Sequence, residues 1–260
     1  AAPVEAIETS SGRVSGVRLG GGERVPAATV TAAIDPKAAL LDLLEPALSG
    51  PAGADLAAAR RSNVVQAVIH VATRSLPAYP GARHGDWNGL QSYVDQVDHL
   101  SVAWTKAEAG ILHRRPPLYA FTLSAIDDSL APDGQHTVYL ACPAAPARVE
   151  GGWPGHVDRF VDSCLDVVEQ RAAGFRDSII GLAARTPDTM EAEGWPGAHP
   201  MHLDLSPDQL GIFRPTPALA RWRTPVEGLY ITGAGTNPTG GVAGTPGRQA
   251  ARTLLSDHHH

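Results

Sequence analysis

Long hydrophobic runs are absent from this sequence. No stretch approaches the roughly 18 to 20 consecutive apolar residues that a bilayer-spanning helix needs, and no basic segment precedes an apolar one as in a secretory signal. We therefore expect a cytoplasmic protein without a membrane span. Of the 260 residues, 43% are hydrophobic, which is enough apolar surface for a sizeable core and predicts one large domain or two smaller ones.

Cysteine and clustered positive charge are also scarce. Cys142 and Cys164 lie far apart and form no CxxC pair, which argues against a disulfide framework and a thiolate zinc site. We interpret both as core residues. The 21 lysines and arginines are scattered among 27 acidic residues, and the net charge is -6. This charge pattern gives no reason to expect nucleic acid as a partner.

Several catalytic signatures are missing as well. There is no GxSxG elbow of an α/β hydrolase, and the glycines at 235–241 are not followed by the Lys-Ser/Thr pair of a Walker A loop. His199, His202 and Asp204 have side chains that can bind a metal. Their spacing fits no helical ligand pair, because Pro200 interrupts it. We predict no metal site and assign no catalytic acid or base.

The first part of the sequence predicts strands. Residues 4–35 alternate apolar and polar side chains and are broken by glycine turns at 11–12 and 20–22, which indicates a three-stranded meander. Leucines then recur at helical spacing until Pro46. The β-branched residues of 63–77 predict a long strand.

The middle of the sequence mixes helices and strands. Residues 117–128 and 136–144 predict an antiparallel pair, 156–175 an amphipathic helix, and 178–186 a further strand. Residues 187–225 are rich in proline and glycine and predict irregular structure with short helices. A helix over 90–111 would place one set of apolar residues on one side: Tyr93, Val94, Val97, Leu100, Val102 and Trp104.

Aromatic residues make up only 5% of the sequence. Some of them could line an apolar substrate pocket, or could equally be core or interface residues. The sequence leaves both readings open for Tyr79, Trp87, Tyr93, Trp104 and Tyr119.

The most specific pattern lies near the end of the sequence. Residues 229–231 predict a short buried strand, and the nine positions from Gly233 to Gly241 hold four glycines. Thr245 and Pro246 fit the N-cap and first residue of a helix. Glycines let a ligand approach the backbone, and the free amides of a helix start favour an anion or the edge of a flavin. The turn lacks the third glycine of the dinucleotide fingerprint, so a purely structural turn stays open.

Three segments in this order resemble the phytoene-desaturase-like FAD-dependent oxidoreductases: GRVSGVRLGGGERVPAATVTAAIDP, PDQLGIFRPTP and TPVEGLYITGAGTNPTGGVAGTPGRQAAR. The resemblance covers nearly the whole chain. It implies a mixed α+β and α/β fold, in which the remainder of a discontinuous, Rossmann-like FAD-binding domain carries an inserted substrate domain with an antiparallel sheet and helices. We place the FAD-binding part at 1–35 and 225–257, the substrate domain at 36–224, and a tag remnant at 258–260.

The resemblance also assigns a cofactor site. It implies that FAD lies against Gly233, Ala234, Gly241, Val242 and Gly244. Asn237 and Thr239 replace the His and Gly of the pattern GTHPGGGV, so no polar contact is carried over to those two positions. The strand, GxGxxG loop and helix that hold the ADP part of FAD in this family are not found in the sequence. We therefore expect the chain alone to bind FAD weakly.

The function implied by the resemblance is hydride transfer from a C–H bond of an apolar substrate to the flavin. The chain would be the C-terminal portion of such an enzyme and inactive by itself. Its partners would be an apolar small molecule and either an N-terminal FAD-binding segment or a partner chain. A homodimer would cover the surface that this segment leaves exposed. The alternative is a non-catalytic small-molecule-binding or protein-interaction module derived from the same family.

Overall fold

The structure is a computed structural model that describes residues 2–258. The chain divides into two compact units. The first, which we call the terminal unit, comprises the residues up to Arg61 and those from Pro200 onward. The second, the central unit, comprises Ser62–His199.

The terminal unit begins with the predicted meander. Strands β1 (Val4–Ser10), β2 (Arg13–Leu19) and β3 (Arg24–Pro26) pair antiparallel in chain order, which confirms that prediction. The next strand, β4 (Val30–Ala32), leaves this sheet and pairs in parallel with β11 (Leu229–Ile231). The alternating pattern predicted the strands but did not separate β4 from the meander.

The leucine-rich segment after β4 differs from the prediction. Instead of a helix up to Pro46, it forms one π-helical turn at Ala38–Asp42 and the short strand β5 (Leu44–Glu45), which pairs in parallel with β1. Helix α1 (Gly50–Ala58) follows and was not predicted. The prediction of one longer helix was wrong because the same leucine spacing also suits a turn followed by a strand, with both parts facing one core.

The core of the terminal unit determines where the unit ends. Residues of 36–61 and 200–224 pack in the same core as β1 and β11, so the compact unit extends beyond the predicted boundaries at 35/36 and 224/225. The assignment of this unit to FAD binding stays a prediction. The core residues that carry this point are Ile7, Leu40, Leu44, Leu56, Leu219 and Ile231.

The central unit contains a five-stranded antiparallel sheet in the order β10-β6-β9-β8-β7. Its strands are β6 (Val64–Thr73), β7 (Gln91–Tyr93), β8 (Leu118–Phe121), β9 (His136–Pro146) and β10 (Ile179–Arg185). The predicted antiparallel pair of β8 and β9 is confirmed.

Helix α3 (Val157–Glu169), which confirms the helix predicted within 156–175, covers one face of this sheet. Cys142 of the sheet and Cys164 of the helix are both buried and free, as predicted. The ring of Trp153 meets Phe160 edge to face at 5.3 Å. The short helix α4 (Phe175–Ser178) then leads into β10.

Helix α2 (Val97–Glu108) is shorter than predicted and buries a different side. Val97 is 79% exposed and Trp104 is 50% exposed, whereas Ala103 and Ala107 are fully buried. The predicted apolar side was wrong because the small alanines allow a close approach to Val64 and Ala144 of the sheet.

The remaining segments match the predictions. Residues 187–225 hold helix α5 (Pro187–Ala192) and several single 3₁₀ turns. Helix α6 (Thr245–His258) starts where Thr245 and Pro246 predicted it. The tag interpretation of 258–260 falls largely on 259–260, outside the described residues. No helix within residues 2–258 has the length and apolar character that crossing a membrane requires.

Candidate functional site

The parallel pair of β4 and β11 positions the candidate site. Val30 lies opposite Leu229 and Ala32 opposite Ile231, so the carboxyl ends of both strands meet at one edge. Asp35 follows β4 at this edge, and Gly233 follows β11. Ligands of open parallel sheets bind outside the carboxyl ends of the strands, which makes this edge the place to look for a cofactor.

Residues 233–244, which we call the glycine loop, connect β11 to α6. Gly233 has a φ of +91°, a left-handed conformation that favours glycine. A Cβ on Gly235 would lie 2.4 Å from Cδ of Pro36, so this position has no room for a side chain. The start of the glycine loop therefore packs directly on the segment that follows β4.

The middle of the glycine loop is held by its own polar groups. The Thr236 hydroxyl donates to the carbonyl oxygen of Gly233 at 2.9 Å, and the Thr239 hydroxyl donates to that of Ala234 at 3.2 Å. The indole Nε1 of Trp222 donates to the carbonyl oxygen of Asn237 at 2.9 Å. Of the two positions that depart from the family pattern, Thr239 thus holds the loop through its side chain, whereas Asn237 contributes its backbone carbonyl.

The last part of the glycine loop is open. Gly241 and Gly244 have φ values of +104° and +66°, and a Cβ on either would meet no atom within 4 Å. Val242 between them is fully exposed. The loop leads into α6, and the first amides of a helix have no partner within the helix. A ligand would therefore find bare backbone and free N–H groups here.

All five residues predicted to lie against FAD belong to this one loop. Gly233 and Ala234 are half-buried at the end of β11, whereas Gly241, Val242 and Gly244 are exposed before α6. The loop folds back on itself, because a Cβ on Gly240 would lie 3.3 Å from Cβ of Ala234. The contact of these residues with FAD stays a prediction.

Arg214 is fully buried and connects the segment 201–204 with the first residues of the glycine loop. It donates from Nη2 to the carbonyl oxygen of Met201 at 2.6 Å, from Nη1 to that of Asp204 at 2.9 Å, and from Nε to that of Ala234 at 3.3 Å. Burial lowers the pKa of Arg214 to about 10, so the guanidinium stays protonated at neutral pH. A positive charge therefore lies behind the first residues of the loop.

A second buried charge lies at the end of β4. The Asp35 carboxylate, in a residue that is 1% exposed, accepts hydrogen bonds from the backbone N–H of Lys37 at 2.8 Å and of Ala38 at 3.1 Å. Arg61 Nη2 donates to its Oδ2 at 2.7 Å, and Arg61 Nε donates to the carbonyl oxygen of His202 at 3.0 Å. The pair of Asp35 and Arg61 thus fixes the segment after β4 and holds His202 beside it.

His202 adjoins the glycine loop. Its Cδ2 lies 3.3 Å from the place that a Cβ on Gly235 would occupy, and its Nδ1 lies 3.9 Å from Oδ2 of Asp35. Burial lowers the pKa of His202, and the nearby Asp35 carboxylate opposes that shift. The Nδ1 of His202 and the hydroxyl of Thr232 are buried and have no hydrogen-bond partner among the described residues. The site thus combines exposed backbone in the last part of the glycine loop with buried polar and charged groups beneath it.

The aromatic residues that the sequence singled out do not form one pocket. Tyr93 is buried, and its hydroxyl lies 2.5 Å from that of Tyr79, so these two belong to the core of the central unit. Trp87 Nε1 donates to a backbone carbonyl, and Trp104 is half exposed. Tyr119 lies on the face of the sheet opposite α3, where its ring centroid is 5.9 Å from that of Phe121.

The metal-binding side chains do not converge. Within residues 2–258, no group of three or more His, Cys, Asp and Glu residues could hold a metal ion. His202 adjoins Asp35, while the Asp204 carboxylate accepts from the backbone N–H of Leu205 at 2.8 Å.

Sequence analysis did not identify the buried charged residues Asp35 and Arg214 as part of the candidate site. Asp35 had a local signal, because an Asp-Pro pair before a leucine run is typical of a helix N-cap, and its carboxylate does accept the N–H groups of Lys37 and Ala38. Arg214 had no local signal in the sequence, because the carbonyl groups that accept its hydrogen bonds belong to other segments, at 201–209 and at 234. Such a contact becomes visible only once the chain is folded.

Known proteins resemble this chain over nearly all its length. Pyridine nucleotide-disulfide oxidoreductase domain-containing protein 2 of Rattus norvegicus is 32% identical over an alignment of 260 positions, which covers 95% of this chain and 45% of the rat protein. Phytoene desaturase (lycopene-forming) of a Paracoccus species is 27% identical over an alignment of 262 positions, which covers 98% of this chain and 50% of that protein. The chain thus spans about half the length of the curated relatives it matches.

A solved structure shares the fold. Cyclohexylamine oxidase from Brevibacterium oxydans superposes with a TM-score of 0.59 at 15% identity, covering 99% of this chain and 48% of the oxidase chain. No protein-family profile matches the sequence. The relatives and the shared fold confirm the predicted family resemblance and the mixed fold class.

Proposed function

This chain is homologous to the phytoene-desaturase-like FAD-dependent oxidoreductases, and we propose that it acts as the C-terminal part of such an enzyme. In this proposal the terminal unit supplies one half of a flavin site. The observation that carries it is the glycine loop, which leaves the carboxyl edge of the parallel β4–β11 pair and opens α6.

The other half of the site would come from a strand added beside β4. Val30 donates its N–H to the carbonyl oxygen of Gly228, and Thr232 donates to that of Ala32, so the backbone of Val30 and Ala32 faces β11. The N–H and C=O of Thr31 therefore point to the opposite side, where β4 pairs with no other strand of the described chain. A segment with a strand, a GxGxxG loop and a helix would extend the parallel sheet at this edge.

In the completed site, the chain's own residues would bind and orient the flavin. The backbone of Gly233, Ala234 and of 241–244 would contact it, and Gly235 would keep the loop close to Pro36. The buried Arg214 would place positive charge near a flavin that becomes more negative on reduction. FAD, when bound, supplies the redox chemistry by accepting a hydride from an apolar substrate.

The half-site explains why we expect weak cofactor binding. The ADP part of FAD is held in such folds by the amides of the GxGxxG loop and by an acidic ribose partner, and the sequence contains no such loop. Affinity in this chain would come from contacts with the flavin ring alone. An N-terminal FAD-binding segment, or a second chain that covers the β4 edge, would complete the site.

Flavin fluorescence tests the proposal. We would titrate FAD with the purified chain and with the variants Gly241→Val and Gly22→Val. Both glycines have positive φ and open space at the Cβ position, so the backbone strain is matched, but only Gly241 belongs to the glycine loop. We expect saturable binding in the chain and in Gly22→Val, and its loss in Gly241→Val. Equal binding by both variants, or no saturable binding by the unaltered chain, would refute the proposed site.

A further inference from the structure

The central unit has a cavity on the face of its sheet that α3 does not cover. Its volume is about 380 Å³, which falls within the range of small-molecule pockets, roughly 300 to 1,000 Å³. The cavity lies over strands β6, β9 and β10, and Phe121 and Leu123 close it on the side of β8.

The register of the strands explains the cavity. Gly181 lies opposite Ala72, and Ala183 lies opposite His70, so residues with little or no side chain follow one another on this face of the sheet. A Cβ on Gly181 would meet no atom within 4 Å, which shows that the space above the strand is open. The depression is therefore built into the sequence of β6 and β10.

Larger side chains form its walls. Tyr139 lies opposite His70, and their rings meet edge to face at 5.5 Å. The ring of Phe121 lies 6.3 Å from that of Tyr139. The Tyr139 hydroxyl accepts a hydrogen bond from Gln66 Nε2 at 2.6 Å, and Gln66 Oε1 accepts one from Tyr119 at 2.7 Å. These bonds hold the aromatic wall in place.

Two further polar groups line the cavity. His70 is exposed, and its imidazole makes no hydrogen bond to another described residue, so both ring nitrogens are available. Thr137 lies opposite Ala72 on the same face and contributes a hydroxyl. A neutral imidazole has one donor and one acceptor, which suits a single carbonyl or hydroxyl group of a ligand.

We propose that this cavity binds an apolar small molecule that carries one carbonyl or hydroxyl oxygen, with His70 as the residue that recognises the oxygen. The apolar body of the ligand lies on Phe121, Leu123 and the ring of Tyr139, and the small residues of β10 provide the space. The identification of this ligand as the substrate rests on the proposed function. The binding of the ligand in this cavity does not depend on that function.

Two probes of matched shape test the recognition of oxygen. We would measure the affinity of the full chain for 2-acetylnaphthalene and for 2-isopropenylnaphthalene, in which a CH2 group replaces the carbonyl oxygen, by ligand-detected NMR with no flavin present. The ketone should bind about fivefold more tightly, as expected for one net hydrogen bond. Equal affinities would overturn the role of His70, and the absence of saturable binding of both would overturn the site. Because flavin is absent, these outcomes are separate from those of the flavin titration.

Three variants locate the binding. His70→Phe retains a planar aromatic ring without the two nitrogens and should remove the preference for the ketone. His84 is an exposed histidine outside the cavity, and the His84→Phe variant should keep the preference. Gly181→Val places a β-branched side chain, of a type favoured in strands, in the open space. This variant should bind both probes more than tenfold more weakly. Melting curves of all three variants check that the fold is intact. Unchanged binding in Gly181→Val would place the probes elsewhere and contradict the proposal.

Discussion

Arg61 Nη2 lies 2.7 Å from the Oδ2 of Asp35, a carboxylate in a residue that is 1% exposed, whereas the arginine side chain is 28% exposed. This ion pair connects the segment that follows β4 with Arg61, the last residue of the terminal unit before the central unit begins in the sequence. Their arrangement makes Asp35 a strong candidate for a stability determinant of the terminal unit.

The Asp35→Asn variant tests this pair. Asn retains the ability to accept the N–H groups of Lys37 and Ala38, but it leaves Arg61 without its anionic partner. We expect the free energy of unfolding to fall by about 3 kcal/mol, as when a buried ion pair loses one member. Urea denaturation measures this, with Asp55→Asn on the exposed face of α1 as the control. Similar losses in both variants would contradict the assignment.

Arg214→Lys tests the buried guanidinium. An ammonium group cannot reach the carbonyl oxygens of Met201, Asp204 and Ala234 together, because these accept from three different nitrogens of the arginine. We expect a loss of about 3 kcal/mol in the free energy of unfolding. The exposed Arg221→Lys serves as the matched control and should be close to neutral. A stable Arg214→Lys protein would show that the three-way hydrogen bonding of the guanidinium is not essential to the loop.

Gly235→Ala tests the contact of the glycine loop with Pro36. The added Cβ would lie 2.4 Å from Cδ and 2.7 Å from Cγ of Pro36. Overpacking of this kind costs about 2 kcal/mol, and FAD affinity should fall with it because the loop must shift. Gly247→Ala, in open space on α6, should instead gain up to about 1 kcal/mol from helix propensity. If the two variants have the same melting temperature, the close approach at Gly235 does not constrain the loop.

Thr31→Pro tests the open edge of β4. Proline removes the N–H that points away from β11, while the hydrogen bonds from Val30 and Thr232 remain. If copies of the chain associate through this edge, light scattering should show a dimer at high concentration and a monomer in the variant. If the unaltered chain is a monomer at high concentration, association at this edge is contradicted.

The parts of the fold that the sequence predicted are those set by local patterns. The meander needs only alternation and glycine turns, and α3 buries Phe160, Cys164, Leu165 and Val168 at helical spacing. The glycine loop and the start of α6 also carry their own signals. In α2 the pattern misled, because the alanines that pack against the sheet are less hydrophobic than the exposed Val97 and Trp104.

The candidate sites could be predicted only in part. The glycine loop was found by composition and by the family resemblance, but the groups beneath it were not. Arg214 and Asp35 acquire their roles through partners distant in the chain. The cavity in the central unit depends on the register of Gly181 with Ala72, which no single strand reveals.

In the proposed function, this chain holds the flavin-ring half of a cofactor site but not the half that binds ADP. The most direct measurement compares the affinities of riboflavin and FAD for the purified 260-residue chain by flavin fluorescence. We predict similar, weak dissociation constants, because the ADP part would find no partner here. FAD binding that is more than a hundredfold tighter than riboflavin binding would show that the chain contains an ADP site of its own, and would contradict the proposed half-site.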